Sequence, residues 1–314
     1  MPEVICLGIM VVDLVGRPVR VIPEKGKLTL VDTMELHTGG CAVNTGRALS
    51  RLGVKTGVIG KVGTDALGDF IIKELEVAGI DTRGIRRAAG VNTSATMVMV
   101  SEDGERSFIH YIGANATLKP EDIDWDLVKG ARLLHLAGSL VMPGFDGEPA
   151  AGVLKRAQEM GCLTSIDTAW DATGRWRKLI DPCLPYTDVF LPSLDEARML
   201  SGYEEPEAIA ASFLQRGVKI VGIKMGAAGS YVASAKESIL MPPFKVQAVD
   251  ATGAGDAFVA GFLAGLVRGL DLKETARLAN AVGALAVTAV GASSGIRSWE
   301  ETQGFITANY NNTN

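Results

Sequence analysis

The chain has 314 residues, 47% hydrophobic and 21% charged, so it can bury a large core as one big α/β domain or as two ordinary ones. Its net charge of −5 comes from 31 Lys and Arg scattered among 36 Asp and Glu, without a basic block, so nucleic acid is not an expected partner. The four cysteines are far apart and form no CxxC or Cys/His cluster, which argues against a disulfide framework or a zinc site and favours a reducing compartment.

The N-terminal run MPEVICLGIMVVDL is apolar and has no preceding basic segment. This pattern predicts the first core strand rather than a signal peptide, and hence a protein of the cytoplasm. Asp13 ends the run, and we expect it at the carboxyl edge of the sheet, where open α/β sheets place their ligands. Taken alone, such a residue is also typical of a solvated turn.

Two stretches, residues 14–37 and 91–112, alternate polar and apolar residues and contain turn signals such as Glu102-Asp103-Gly104. They predict antiparallel strands that pair with each other in a small sheet outside the main one. We expect this sheet to form a lid over a crevice.

Between and after these stretches, short β-branched runs alternate with longer helical patterns. The alternation predicts one domain over residues 1–314, with a central, mostly parallel sheet and helices on both faces. Only the Asn-rich tail, residues 309–314, is expected to be disordered. The strands are predicted at 55–61, 133–137, 163–167, 189–192 and 220–224, with helices at 68–78 and 150–160.

The most membrane-like stretch is residues 257–270, which is too short to cross a bilayer and is interrupted by Arg268. A membrane is therefore not an expected partner. The spacing of Gly261, Gly265 and Gly269 indicates a helix packed closely on a soluble core.

The segment DATGAGDAFVAGFLAGL, residues 250–266, carries the clearest chemistry. Gly253, Ala254 and Gly255 let a phosphate or a developing oxyanion approach the free N–H groups at the start of a helix, where the helix dipole adds attraction. Asp256 stands at the same end, and a carboxylate beside an anion site suits the task of accepting the proton of an attacking hydroxyl. The plain alternative is a helix cap behind a tight turn.

Two common glycine motifs do not match. Phe258 occupies the position where a dinucleotide fingerprint requires its third glycine, which disfavours an NAD-linked dehydrogenase. No GxxxxGK[ST] P-loop is present in the sequence. Cys41 begins a predicted helix, but we interpret it as a packing residue rather than a nucleophile.

DATGAGD resembles the C-terminal signature of the PfkB, or ribokinase-like, carbohydrate kinases, usually written DTTGAGD, with Ala251 in place of the common Thr. The resemblance implies a ribokinase-like fold in which Asp256 is the catalytic base and the amides of residues 253–256 hold the transferring phosphoryl group. It also implies ATP as the phosphoryl donor.

The segment HTGGCAVNTGRALSRLG, residues 37–53, is similar to the N-terminal signature of the same family. By this resemblance Gly39, Gly40 and Asn44 contact the substrate, and Asp13 binds its hydroxyls. A Gly-Gly turn lets the backbone approach a ligand, and an amide can both donate to and accept from vicinal hydroxyls.

The nucleotide side is also implied by resemblance. VFLPSLDEARMLSG is similar to the family segment NxxE, whose glutamate, here Glu196, helps to position Mg²⁺ through water, although Ser193 replaces the Asn. Lys224, Gly226 and Gly229 match the loop along the nucleotide, and Asn280 is the candidate for the adenine pocket. In some relatives a monovalent cation lies near the anion site, and a K⁺ site here would use Asp250 and Thr252 with carbonyls around Val290 and Ser294.

We therefore expect an ATP-dependent kinase of a small sugar, sugar acid or polyol. Arg106, His110 and Tyr111 on the lid could meet a carboxylate or could close over a neutral sugar. A nucleoside kinase of the same fold and a non-catalytic sugar or nucleotide sensor are the alternatives, and the intact Asp256 disfavours the sensor. We also expect a homodimer formed through the lid, because an exposed sheet edge would otherwise be a liability.

Overall fold

The structure, a computed structural model, describes residues 1–310 and contains two sheets. The larger has nine strands in the order β13-β12-β11-β10-β9-β8-β1-β4-β5, and all neighbours are parallel except β11-β12 and β12-β13. Its strands are β1 (Val4–Gly8), β4 (Thr56–Gly63), β5 (Asp81–Ala88), β8 (Leu133–Ser139), β9 (Leu163–Thr168), β10 (Val189–Phe190), β11 (Ile220–Lys224), β12 (Ser230–Ser234) and β13 (Ser238–Met241).

Helices cover both faces of this sheet, and each face has its own buried apolar cluster. The predicted fold class is thereby confirmed, and the predicted strands and helices differ from the observed ones by a few residues at their ends. The helices are α1 (Cys41–Arg51), α2 (Ala66–Val77), α3 (Trp125–Val128), α4 (Glu148–Glu159), α5 (Trp176–Ile180), α6 (Leu194–Ser201), α7 (Pro206–Gln215), α8 (Ala254–Val267), α9 (Leu272–Ala286) and α10 (Trp299–Tyr310).

The disordered tail predicted for residues 309–314 lies, from residue 311 on, outside the described residues, and residues 309 and 310 continue α10. Among the helices of residues 1–310, none is long and apolar enough to cross a membrane.

The second sheet has four strands in the order β3-β2-β6-β7, and we call it the lid: β2 (Val11–Arg17), β3 (Thr33–Gly39), β6 (Ala95–Val100) and β7 (Arg106–Tyr111). The prediction that its strands are all antiparallel was wrong. The β2-β3 and β6-β7 pairs are antiparallel hairpins, but β2 and β6 pair in parallel. Turn residues specify only the pairing within a hairpin, so they carried no information on how two hairpins join.

Helix α8 is buried along nearly its whole length between α1 and α9. A Cβ on Gly261 would lie 2.8 Å from Cα of Ala279, and one on Gly265 would lie 3.1 Å from Cα of Thr275, so both glycines permit the close approach to α9. Gly269 takes no part in this packing, contrary to the predicted spacing. It follows the end of α8, and its φ of 74° is the left-handed conformation typical of a helix end.

Candidate active site

Asp256 lies in the first turn of α8 and contacts α1. Nδ2 of Asn44, on α1, donates to Oδ2 of Asp256 over 2.8 Å. The hydroxyl of Thr45 lies 3.5 Å from the backbone carbonyl oxygen of Asp256. Burial raises the pKa of Asp256, while the bond from Asn44 and the positive charge of Lys224 act in the opposite direction. The carboxylate is thus held in one orientation, with a proton affinity above that of an ordinary aspartate.

Asn44 itself is 7% exposed, and it contacts Asp256 directly. Sequence reasoning assigned it only to the substrate. Its Oδ1 is buried without a hydrogen-bond partner among the described residues, so the amide has one acceptor left for a ligand hydroxyl.

Cys41 lies nearby, and burial, followed by the charges of Asp256 and Asp167, raises the pKa of its thiol well above the ordinary value. Cys41 is thus a protonated thiol, in line with the packing interpretation.

Residues 253–256, at the start of α8, are the ones predicted to form an anion site, and we call them the anion turn. Gly253 has a φ of 73°, and a Cβ there would lie 2.6 Å from the carbonyl oxygen of Ala292, so only glycine fits without strain. The N–H of Ala254, expected to hold the anion, donates instead to the carbonyl of Ala251 over 3.2 Å. In the first turn the N–H groups of Gly255 and Asp256 have no intrahelical acceptor, and they lie where the helix dipole favours an anion.

Lys224 ends β11 behind this turn and is surrounded by carboxylates. Its Nζ lies 3.3 Å from Oδ2 of Asp167, at the end of β9, and would lie 3.5 Å from a Cβ on Gly255. Burial raises the pKa of Asp167 to about 7, with Lys224 opposing the shift and the charges of Asp256 and Glu196 adding to it. Burial lowers the pKa of Lys224, but the three carboxylates outweigh it and raise the value overall, so the lysine stays charged.

Glu196 lies in the first turn of α6 and is 9% exposed. Its Oε2 accepts from the hydroxyl of Thr168 over 2.9 Å and from the N–H of Ser193 over 3.0 Å. Ser193 caps the helix in return, so the residue that replaces the family Asn forms a reciprocal capping box with Glu196. This arrangement fixes the glutamate side chain beside Lys224 and Asp167.

A cavity of about 560 Å³ adjoins the anion turn on the side of the nucleotide candidates. Lys224, Gly226, Gly229 and Asn280 all line it, together with apolar side chains that include Phe244, Phe258 and Val287. The amide of Asn280 donates to the carbonyls of Met241 and Pro242, so it ties the cavity wall together. A Cβ on Gly229 would lie 2.1 Å from the Met241 carbonyl oxygen, and its φ of 91° also requires glycine.

A row of polar side chains crosses the four strands of the lid. His37, Asp13, Thr96 and His110 are register partners, so their side chains share one face. Burial raises the pKa of Asp13, while the bond from Thr96 and the charges of His110 and His37 oppose the shift. The expected place of Asp13 was wrong, because it lies inside lid strand β2 rather than at the carboxyl edge of the main sheet.

The two glycines of the N-terminal signature make room around Asp13 and the start of α1. A Cβ on Gly39 would lie 2.3 Å from Oδ2 of Asp13. Gly40 is the N-cap of α1 with a φ of 87°, and a Cβ there would lie 2.5 Å from the carbonyl oxygen of Ile9. Gly39 therefore permits the aspartate carboxylate to lie against the backbone, and Gly40 permits the sharp turn into the helix.

Arg106 contacts the loop before α8 and is not free for a substrate, which corrects the predicted substrate contact. Its Nη1 lies 3.0 Å from Oδ1 of Asp250 and also donates to the hydroxyl of Thr252. The hairpin β6-β7 ends close to the anion turn, so the first residue of β7 reaches a loop that is 146 positions away in sequence. Arg106 and the predicted K⁺ ligands therefore form one cluster.

The residues present fit Mg²⁺. Asp167, Glu196 and Asp256 bring three carboxyl groups around one lysine, and Oδ1 of Asp167 is buried without a partner among the described residues. Such oxygen atoms suit a cation held mainly through water and phosphate. Among residues 1–310, no group of three or more carboxylate, His or Cys side chains is placed to hold a metal ion.

The fit to K⁺ is poor. Asp250 already accepts from the N–H and hydroxyl of Thr252 and from the N–H of Gly291, and the Arg106 guanidinium lies against it. These donors use the oxygen sites that a monovalent cation would need.

Asp167 is the site residue that sequence reasoning missed. The run 163–167 was assigned to a strand, and the carboxyl end of a parallel strand is where ligands bind in such sheets. That position was the available signal. Its partner Lys224 is 57 positions away, on a strand separated from β9 by β10, so no local spacing linked the two.

Taken together, a fixed carboxylate beside helix-start amides, a buried lysine and an adjoining cavity define a site that can transfer an anionic group to a hydroxyl. Residues 1–299 match the family described as pfkB family carbohydrate kinase. A protein of Archaeoglobus fulgidus named uncharacterized sugar kinase is 34% identical over 79% of this chain and 97% of its own. The 2-dehydro-3-deoxygluconokinase of Bacillus subtilis is 29% identical over 91% of each chain.

Solved structures show the same fold. A ribokinase of Thermotoga maritima aligns with a TM-score of 0.85 at 28% identity and covers 98% of this chain and 100% of its own. A putative ribokinase II of E. coli in complex with ATP and Mg²⁺ aligns with a TM-score of 0.84 at 28% identity, with the same coverage. The chain belongs to the pfkB family of carbohydrate kinases. It is a phosphotransferase with an alcohol group as acceptor, as the sequence predicted.

Proposed function

We propose that Asp256 is the general base of this kinase and removes the proton of the acceptor hydroxyl as the γ-phosphoryl group of ATP is transferred. The observation that carries the proposal is the hydrogen bond from Asn44, which fixes the carboxylate at the start of α8. Burial raises the pKa of Asp256, which makes it a better proton acceptor than an exposed aspartate. General-base action of this kind is worth about 10²–10⁴-fold in rate.

The charge of the transferring group is received by groups that are already in place. The N–H groups of Gly255 and Asp256 point out of the first turn of α8, and the Lys224 ammonium lies beside Gly255. Because these donors are fixed by the fold, little reorganisation is needed during the reaction. Mg²⁺, when bound with the nucleotide, supplies further positive charge, and we propose Asp167 and Glu196 as the residues that hold it, Glu196 through water.

The cavity lined by Lys224, Gly226, Gly229 and Asn280 is proposed to bind the nucleotide. Its glycines leave the wall open to a phosphate chain, and its apolar side chains suit a base. On this assignment Asn280 acts mainly by holding the cavity wall, since both its amide hydrogen bonds go to the backbone of residues 241 and 242.

The acceptor is proposed to be a neutral, hydroxyl-rich sugar or polyol bound between Asp13 and Asn44. Asp13 offers carboxylate oxygens, and Oδ1 of Asn44 is buried without a partner among the described residues, so both can accept from hydroxyls. Two of the three lid side chains predicted to meet a substrate carboxylate, Arg106 and His110, are otherwise engaged. Arg106 lies against Asp250, and Nδ1 of His110 lies 3.0 Å from the hydroxyl of Thr96.

A homodimer formed through the lid remains our proposal for the assembly. The face of the lid opposite to Asp13 carries Met34, Leu36, Met97 and Ile109, which are 40% to 63% exposed. Apolar side chains grouped on one sheet face are typical of a surface that a second copy covers.

We place the enzyme in the cytoplasm, since its four cysteines are all unpaired.

Measuring ADP release across neutral sugars, polyols, sugar acids, phosphosugars and nucleosides tests the proposal. We expect turnover with at least one neutral sugar or polyol, and a rate about 10²–10⁴-fold lower with the same acceptor in Asp256→Asn. Turnover with nucleosides alone would favour the alternative nucleoside kinase. Turnover with sugar acids or phosphosugars alone would refute the neutral acceptor, and nucleotide binding without any turnover would favour the sensor.

A further inference from the structure

The cluster of Arg106, Asp250, Thr252 and Gly291 lies directly before the anion turn. Asp250 begins the loop that leads into α8, and its two oxygens accept from Thr252 and from the N–H of Gly291 over 2.6 to 2.9 Å. Burial opposes ionisation of Asp250, but these bonds and the charge of Arg106 outweigh it and lower the pKa of the carboxyl group. The cluster is therefore a closed ion pair between a carboxylate and a guanidinium.

The same cluster fixes the anion turn from behind. The bond from Gly291 joins the loop of residues 288–296 to Asp250, and the backbone of Ala292 in that loop closes against Gly253. Asp250 therefore controls the position of Gly253, and through it the orientation of the N–H groups of Gly255 and Asp256. A cation beside Asp250 keeps this carboxylate ionised and in place.

That cation comes from the lid. Arg106 is the first residue of β7, next to the turn of the β6-β7 hairpin, and it shares the lid face that carries His110. Its side chain is one-third exposed, whereas that of Asp250 is 15% exposed. An arginine held partly from solvent against a carboxylate forms a stronger contact than a pair on the open surface.

We propose that the Arg106 guanidinium supplies the permanent positive charge beside the anion turn. It takes the place that a K⁺ ion would hold, and it joins the lid to the loop that precedes the anion turn. Arg106 is thus a positioning residue, which acts on the phosphoryl group through Asp250 and Gly253 and does not touch the reacting atoms. The inference rests on the proposed role of the anion turn, and it has two consequences that do not depend on the role of Asp256.

The first consequence is independence from monovalent cations. At constant ionic strength, the wild-type enzyme should give the same kcat in KCl and in tetramethylammonium chloride. Arg106→Gln should lose about tenfold or more in kcat with a smaller change in KM for ATP, since a hydrogen-bonded ion pair is removed. K⁺ should restore part of the lost rate, and guanidinium ion at millimolar concentration should do the same for Arg106→Ala. Arg83→Gln removes an exposed ion pair with Asp81 on β5 and should behave as the wild type.

The second consequence is seen without substrate. In the nucleotide-free protein, Arg106→Gln should increase amide hydrogen exchange both in the hairpin of residues 100–106 and in residues 250–254, while Arg83→Gln changes neither. A wild-type enzyme activated several-fold by K⁺, or an Arg106→Gln variant with unchanged kcat and unchanged exchange, would overturn the proposal. If Asp256→Asn proved fully active while these results held, the proposal that Asp256 is the general base would be refuted. The proposed positioning role of Arg106 would stand.

Discussion

The hydrogen bond from Asn44 to Asp256 makes a quantitative prediction about pH. In Asn44→Ala the carboxylate loses a donor at 2.8 Å inside a site where burial already raises the pKa of Asp256. A hydrogen bond to a charged group contributes about 1.5–3 kcal/mol, and each pH unit corresponds to 1.36 kcal/mol. The acid limb of kcat/KM should therefore move upward by about 1–2 pH units, because the ionised base loses more stabilisation than the protonated one.

The assay is ADP release at saturating ATP, with kcat/KM for the acceptor followed from acid to neutral pH. Ser50→Ala, on the same helix, removes a hydroxyl that donates to the carbonyl of Ala78 far from the site, and it should leave the acid limb in place. If Asn44→Ala is slower at every pH but its acid limb does not move, Asn44 does not set the proton affinity of Asp256. The reasoning would then be refuted even though activity fell.

Three further predictions concern other residues. Gly39→Ala places a Cβ 2.3 Å from Oδ2 of Asp13 and so displaces the carboxylate. KM for the acceptor should rise by about tenfold with little change in kcat, and an unchanged KM would exclude Asp13 as an acceptor contact. Lys224→Met leaves Asp167 unpaired and should lower the free energy of unfolding, measured by urea denaturation, by about 3–5 kcal/mol. An unchanged urea midpoint would contradict a stabilising ion pair between Lys224 and Asp167. Burial raises the pKa of Asp146 from 3.8 to about 6, so its protonation stabilises the fold below about pH 4 and this stability is lost as pH rises through 6. Relative to Asp146→Asn, wild type should lose about 3 kcal/mol across this window, and parallel curves would refute the shift.

Sequence reasoning was strongest where the chemistry is local. The glycine turn, Asp256 and the start of α8 are contiguous, so residues 250–256 could be interpreted together, and the rhythm of strands and helices was enough to predict the large sheet. The amide of Ala254 was assigned wrongly because its acceptor, the carbonyl of Ala251, depends on the conformation of the turn rather than on residue type.

The remaining features depend on contacts between distant segments. Asn44 and Asp256 are 212 positions apart, and the bonds of Arg106 to the loop at residues 250–252 arise only because a lid hairpin ends beside that loop. Asp13 looked like the end of a first strand, since apolar residues continue from β1 into β2, yet the chain changes sheets between Gly8 and Val11. Hydrophobic pattern indicates that a strand exists but not to which sheet it belongs.

The central claim is that Asp256 accepts the proton of the acceptor hydroxyl, and a single-turnover measurement tests it most directly. With enzyme in excess over ATP and saturating acceptor, the rate of phosphoryl transfer should fall by about 10²–10⁴-fold in Asp256→Asn, while the dissociation constant for ATP stays within about twofold of wild type. An Asp256→Asn enzyme that transfers the phosphoryl group at a third of the wild-type rate would contradict the claim.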